Sequence, residues 1–219
     1  MHFNPNPYYP DYRPSKEASL KLYGEKTVRA KPDLVVLTIG IMTENANVKI
    51  AQEENAALSN SLLHSLKSLG IQEDNIQTLS YTITPEYDYI EGKSTLRGYR
   101  VEHLYEVTVL NIQKAGEVYE TAIGAGANIA RNLSFRVSNP DIYYQQALTG
   151  AIQEALEKAK IAGAALGATI NPVPVSVTEE SQSPSIEYKT FVASAQTAPP
   201  IQSGELSISA KVQAVFAYI

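Results

Sequence analysis

A chain of 219 residues with 44% apolar and 19% charged side chains has the composition of an ordinary globular protein, one large domain or two small ones. The formal charge of −5 disfavours non-specific binding to nucleic acid or to an anionic membrane surface. Cysteine is absent, which excludes disulfides, thiolate nucleophiles, cysteine-ligated zinc and thiol redox chemistry.

The opening MHFNPNPYYPDYRPSKEAS is rich in proline and lacks the run of about 7–15 apolar residues that a signal peptide needs. Residues 1–18 are expected to form a flexible Tyr/Pro-rich arm, because such a composition buries little apolar surface. The other reading is an arm that docks on a partner subunit. Residues 19–219 are expected to form an α+β domain, divisible into two subdomains. No apolar run is long enough to cross a bilayer as a helix.

ASLKLYGEKTVRAKPDLVVLTIGIMTEN alternates apolar and polar residues around Lys31-Pro32-Asp33 and predicts two strands joined by a turn. A helix follows, with Val48, Ala51, Leu58, Leu62, Leu66 and Leu69 near one stripe, Asn47 as N-cap and Gly70 just past its end. In TLSYTITPEYDYIEGKSTLRGYR, Tyr81, Ile83, Pro85, Tyr87 and Tyr89 share one strand parity, and Thr82, Thr84, Glu86 and Asp88 the other. Pro85 cannot donate to a ladder and therefore marks an edge or a bulge. After the EGKST turn, Leu96 to Ile112 reads as the returning strand.

QKAGEVYETAIGAGA predicts a short helix and NIARNLSFRVSN a strand. Asn139-Pro140-Asp141 opens a long alanine-rich helix whose small residues imply close approach to a sheet. VPVSVTEE and ELSISAKVQAVFAYI are two more strands, separated by a weakly patterned loop at 181–204. The order ββαββαβαββ points to an α+β layered sandwich with a mixed or antiparallel sheet and helices on one face.

No recognised chemistry emerges. His2, His64 and His103 lack metal-ligand spacing, and no carboxylate pattern completes a site. Gly92-Lys93-Ser94 resembles the end of a phosphate-binding loop, but Tyr87 stands where the motif needs glycine. GAGANI fails as a dinucleotide fingerprint because Ile129 replaces the third glycine. Glu86 and Asp88, about 6.6 Å apart on one strand face, are the only pair that could serve a hydrolase. Lys93, Arg97 and Arg100 offer the simpler alternative of ion pairs across the hairpin. No catalytic, cofactor or metal residue is assigned.

PEYDYIEGKSTLRGYR closely resembles the central segment of the bacterial SIMPL-domain family, which includes periplasmic and outer-membrane immunogenic proteins. LKLYGEKTVRAKPDLVVLTIGIMTE, GIQEDNIQTLSYTI, the helix from Asn139 to Gly167 and GELSISAKVQAVFAYI resemble the family's flanking elements, so the likeness covers Leu20 to Ile219. The resemblance implies an α+β fold, ring-like or channel-like homo-oligomers, and a link to stress tolerance without assigned catalytic residues. Pro85, Tyr87, Tyr89, Gly92, Gly98 and Tyr99 are its signature, and form the candidate face for a subunit or a small ligand. Many relatives carry an export signal. This chain opens at Met1 with the arm, so the expectation is a cytoplasmic protein, with export as the alternative. The expected function is non-enzymatic self-assembly. The alternatives are a ligand-binding module using the tyrosine face and a hydrolase using Glu86 and Asp88.

Overall fold

A computed structural model describes residues 18–90, 92–180, 185–188 and 204–219. The arm at residues 1–17 and most of the 181–204 segment lie outside the described residues. The elements are β1 (Ser19–Ala30), β2 (Leu34–Asn45), α1 (Val48–Ser68), β3 (Ile76–Ile90), β4 (Lys93–Val109), α2 (Ala115–Gly124), β5 (Ile129–Arg136), α3 (Pro140–Leu166), β6 (Ser176–Glu179), β7 (Ser185–Tyr188) and β8 (Leu206–Ala217). The fold is α+β, with the expected order of elements apart from the short β7, which falls within the segment read as loop. The described residues divide into two compact units, one built from 18–28, 141–180, 185–186 and 207–219, the other from 29–90, 92–140, 187–188 and 204–206.

Unit 1 contains a sheet ordered β1-β8-β6, with β7 also pairing with β8. Every second residue of β8 turns toward α3, so Ala210, Val212, Ala214 and Phe216 meet Ala147, Ala151, Ala155 and Ala159 in one buried cluster. Alanine at four-residue spacing forms a smooth ridge on a helix, and a smooth ridge lets backbones approach closely. The approach is closest at Gly24 of β1, where an added Cβ would stand 1.8 Å from the Ala151 carbonyl oxygen and 2.8 Å from the Ala155 nitrogen. At the other sheet edge the Tyr144 hydroxyl on α3 donates to the Glu179 carboxylate on β6. That contact pushes the phenol pKa up to about 12.

Unit 2 contains a four-stranded sheet ordered β3-β4-β2-β5, with every neighbouring pair antiparallel. Although β1 and β2 are consecutive strands, they do not pair. LVVLTIGIM is almost continuously apolar and buried, which suits a central strand, and β2 lies between β4 and β5. The charged and more exposed β1 suits a sheet edge, and occupies one.

One face of this sheet carries Val35, Leu37, Ile39, Ile41, Tyr105, Val107 and Val109 into a core with Leu62 and Leu66 of α1 and Val118 and Ala122 of α2. α1 starts as its sequence predicts: the Asn47 side chain accepts from the Lys49 N–H at 2.9 Å. It ends before Gly70, whose φ of +94° is a left-handed conformation that glycine adopts without strain.

The Gly24 contact yields a stability prediction. Gly24→Ala must displace helix backbone and is expected to destabilise the protein by about 1–3 kcal/mol or more in urea unfolding. Gly116→Ala, in α2 with open space where its Cβ would go, is the control and is expected to be neutral or to stabilise by up to about 1 kcal/mol. Equal effects at the two sites would refute the close-approach account.

Candidate functional site: the β3–β4 hairpin

β2 ends at Asn45, opposite Tyr99 of β4, whereas β3 and β4 continue together until Ile90 meets Lys93. The hairpin tip therefore projects as two strands without a third. Gly92 makes the reversal, with φ of +77°, as tight hairpin loops require. Gly98 sits where β2 closes in: a Cβ there would lie 2.8 Å from the Asn45 carbonyl oxygen. Two of the six signature residues are thus placed by backbone geometry.

The two faces of the tip differ in kind. Glu86 and Asp88 share one face, as their parity predicts. The ladder pairs Glu86 with Gly98 and Tyr87 with Leu96, leaving Arg97 as an extra residue. Residues three apart on a regular strand point to opposite sides. This bulge restores Arg97 and Arg100 to the same side. Arg100 Nε donates to Glu44 Oε1 at 2.8 Å, and its Nη1 lies 3.1 Å from Glu86 Oε1. Arg97 lies 3.3 Å from Glu44, and 3.9 Å from both Glu86 and Asp88. The hydrogen bond from Arg100 holds the Glu44 carboxyl below its ordinary range, and the reciprocal bond raises the guanidinium further. The carboxylates singled out for acid–base work are therefore cross-strand ion-pair partners. Glu44, which the sequence reading did not associate with them, joins the network because β2 places it opposite Arg100.

Ile83, Pro85, Tyr87 and Tyr89 lie on the opposite face, with Tyr99 paired to Pro85 and Leu96 paired to Tyr87. Helix cover runs out there. The Asn55 side chain of α1 donates to the carbonyls of Ile41 and Val101, both at 3.1 Å, and α1 begins two turns earlier, at Val48. Beyond that point Tyr87, Tyr89 and Leu96 remain 52%, 80% and 45% exposed. Pro85 sits on β3, an edge strand, as its missing N–H demands. Leu96 went unrecognised because on a regular strand it would face away from Tyr99, and the bulge between them brings both to one side.

Beside the ion pairs is an open depression of about 260 Å³, lined by Glu44, Asn45, Glu86, Arg97 and Tyr99 among others. Among the described residues no group of histidines and carboxylates could hold a metal ion. No helix among them is long and apolar enough to cross a membrane.

What this geometry defines is an α+β protein of two sheet-and-helix units with an amphipathic hairpin. The SIMPL family, described as a protein of unknown function (DUF541), matches residues 20–216, and the chain belongs to it. The chain is 26% identical over 214 residues to the 26 kDa periplasmic immunogenic protein of Brucella melitensis biotype 1, covering 92% of this chain and 85% of that one. It is 30% identical over 137 residues to the uncharacterized protein YggE of Escherichia coli (strain K12), covering 63% of this chain and 56% of YggE. With YggE of Edwardsiella ictaluri it shares 28% identity over 151 residues, 68% of this chain and 63% of that one.

The Glu86→Gln/Asp88→Asn double variant is expected to stay folded and to lose no more than about 1–2 kcal/mol in urea unfolding, since the side chains of its pairs keep part of their surface in solvent. A collapse of the fold would show that the network is far more strongly coupled than exposed pairs allow.

Proposed function

We propose that this protein is a non-enzymatic assembly protein that binds copies of itself, with the apolar face of the β3–β4 hairpin as a contact surface. The observation that carries this reading is the exposure of Tyr87, Tyr89 and Leu96 on a paired strand scaffold. Burying such side chains contributes about 25 cal/mol for each Å² of apolar surface removed from water. Aromatic side chains are also enriched where protein surfaces meet. Self-contact that joins unlike surfaces of successive copies generates a ring when the rotation between them closes.

Catalysis finds less support, because Glu86 and Asp88 are already engaged by arginines. A ligand pocket also finds less support: the depression is open and smaller than the usual ~300–1,000 Å³ of small-molecule sites. Any part in stress tolerance is indirect, since the chain has no cysteine and two methionines, leaving almost no side chain for redox cycling. The Brucella relative is named as a periplasmic protein, which favours export over the cytoplasmic reading.

Light scattering on a size-exclusion column tests the proposal directly. The full chain, 23.9 kDa, is expected to elute as a discrete multiple of that mass at micromolar concentration. Tyr87→Ser/Leu96→Ser, both at exposed positions, is expected to remain folded and to weaken association by about tenfold or more, in the manner of interface hot spots. A monomeric parent would overturn the reading, and an unchanged mass in the variant would remove the hairpin from the interface.

A further inference from the structure

The seam between α1 and the sheet of unit 2 contains a polar knot within an otherwise apolar interface. Asn55 is fully buried and Ser59 nearly so, and the Ser59 hydroxyl donates to Asn55 Oδ1 at 3.3 Å. Ser59 Oγ also lies 3.3 Å from His103 Nδ1, and the Tyr105 hydroxyl lies 2.9 Å from the same nitrogen. The other ring nitrogen of His103 is 3.3 Å from Thr78 Oγ1. Tyr81 meets the imidazole edge-on at a centroid distance of 5.0 Å, and the Tyr105 ring tilts against it at 4.2 Å. One histidine thereby joins α1, β3 and β4.

The imidazole meets the hydroxyl of Ser59 from α1, Thr78 and Tyr81 from β3, and Tyr105 from its own strand. Its ladder neighbour on β2 is Ile41. The titratable groups among these are the two tyrosines, and burial raises the Tyr105 phenol, keeping it protonated. None of them supplies a negative charge. Glu102 and Glu106 on β4 point to the opposite side of the sheet, because strand positions alternate. A neutral imidazole fits this setting, accepting at one nitrogen and donating at the other. A protonated ring donates at both and introduces a charge without a counter-ion.

We propose that His103 makes the α1–sheet seam of unit 2 acid-sensitive: the seam is tight while the imidazole is neutral and loosens as the solution becomes mildly acidic. This holds whether or not copies of the chain assemble. Burial lowers the His103 pKa below its ordinary 6.5. The unfolded chain therefore takes up this proton first. Stability from the neutral ring is complete above pH 6.5, and falls with decreasing pH until the native His103 itself protonates.

The test is urea unfolding of the full chain and of His103→Gln at about pH 7.5 and about pH 5, a window in which histidine is the ordinary side chain to titrate. The folding equilibrium constant of the parent is expected to fall toward acid, with His103 contributing at most about tenfold for each pH unit, the limit for one proton. The glutamine variant should lack that contribution and retain only the slope due to other groups. Identical slopes in parent and variant would overturn the proposal. An NMR titration of the histidine ring protons in the folded parent decides the matter even if the variant does not fold. His103 is expected to titrate below the ordinary histidine value, and titration at or above that value overturns the proposal.

Discussion

Backbone hydrogen bonding along β4 organises unit 2. Its 17 residues pair with β3 on one side and with the 12-residue β2 on the other, and the difference in length leaves a stretch of two strands unsupported. Two strands alone are marginally stable in water. Here the extension acquires its own cross-strand network, since the bulge at Arg97 brings two guanidiniums to the face that carries Glu44, Glu86 and Asp88. The same bulge puts Leu96 and Tyr99 on one side of β4. One inserted residue thereby separates a self-satisfied charged face from an unsatisfied apolar one.

The two units solve helix-on-sheet packing differently. In unit 1, α3 offers alanines and meets β1 at a glycine, so contact depends on backbone proximity. In unit 2, α1 and α2 approach through leucines and valines, and the polar residues within that interface are all paired: no buried side-chain nitrogen or oxygen among the described residues lacks a hydrogen bond. The Asn55 amide binds carbonyls on two neighbouring strands. It therefore rewards one particular placement of α1, where aliphatic packing alone would tolerate small shifts.

Local chemistry made much of the fold legible. The Asn47 cap and Gly70 bounded α1, Pro140 and Asp141 opened α3, and strand parity separated the tyrosines from Glu86 and Asp88. The α3 alanines faced a sheet, as their size implied. What the chain did not disclose depends on contacts distant in sequence. Alternation marked β1 and β2 as strands but could not name their partners. Nothing in STLRGYR announces that Arg97 is the inserted residue, because a bulge is a property of the pair and not of one strand. His103 read as an isolated histidine, since Ser59 and Thr78 lie 44 and 25 positions away along the chain.

The strand order of unit 1 also dictates when that unit can come into being. β8, residues Leu206–Ala217, is flanked by β1 and β6, and Thr27 of β1 precedes its hydrogen-bond partner Ser209 of β8 by 182 positions. During synthesis β1 must wait, unpaired with its native neighbour, until β8 has left the ribosome. The β3-β4-β2-β5 sheet of unit 2 and its helices α1 and α2, by contrast, all lie between residues 34 and 136 and are complete much earlier. Joining β1 to β8 also closes a very long loop, and the entropy of closure grows with loop length. The charged residues along β1, Lys21, Glu25 and Lys26 among them, keep an edge that waits this long from adding to a neighbour's sheet.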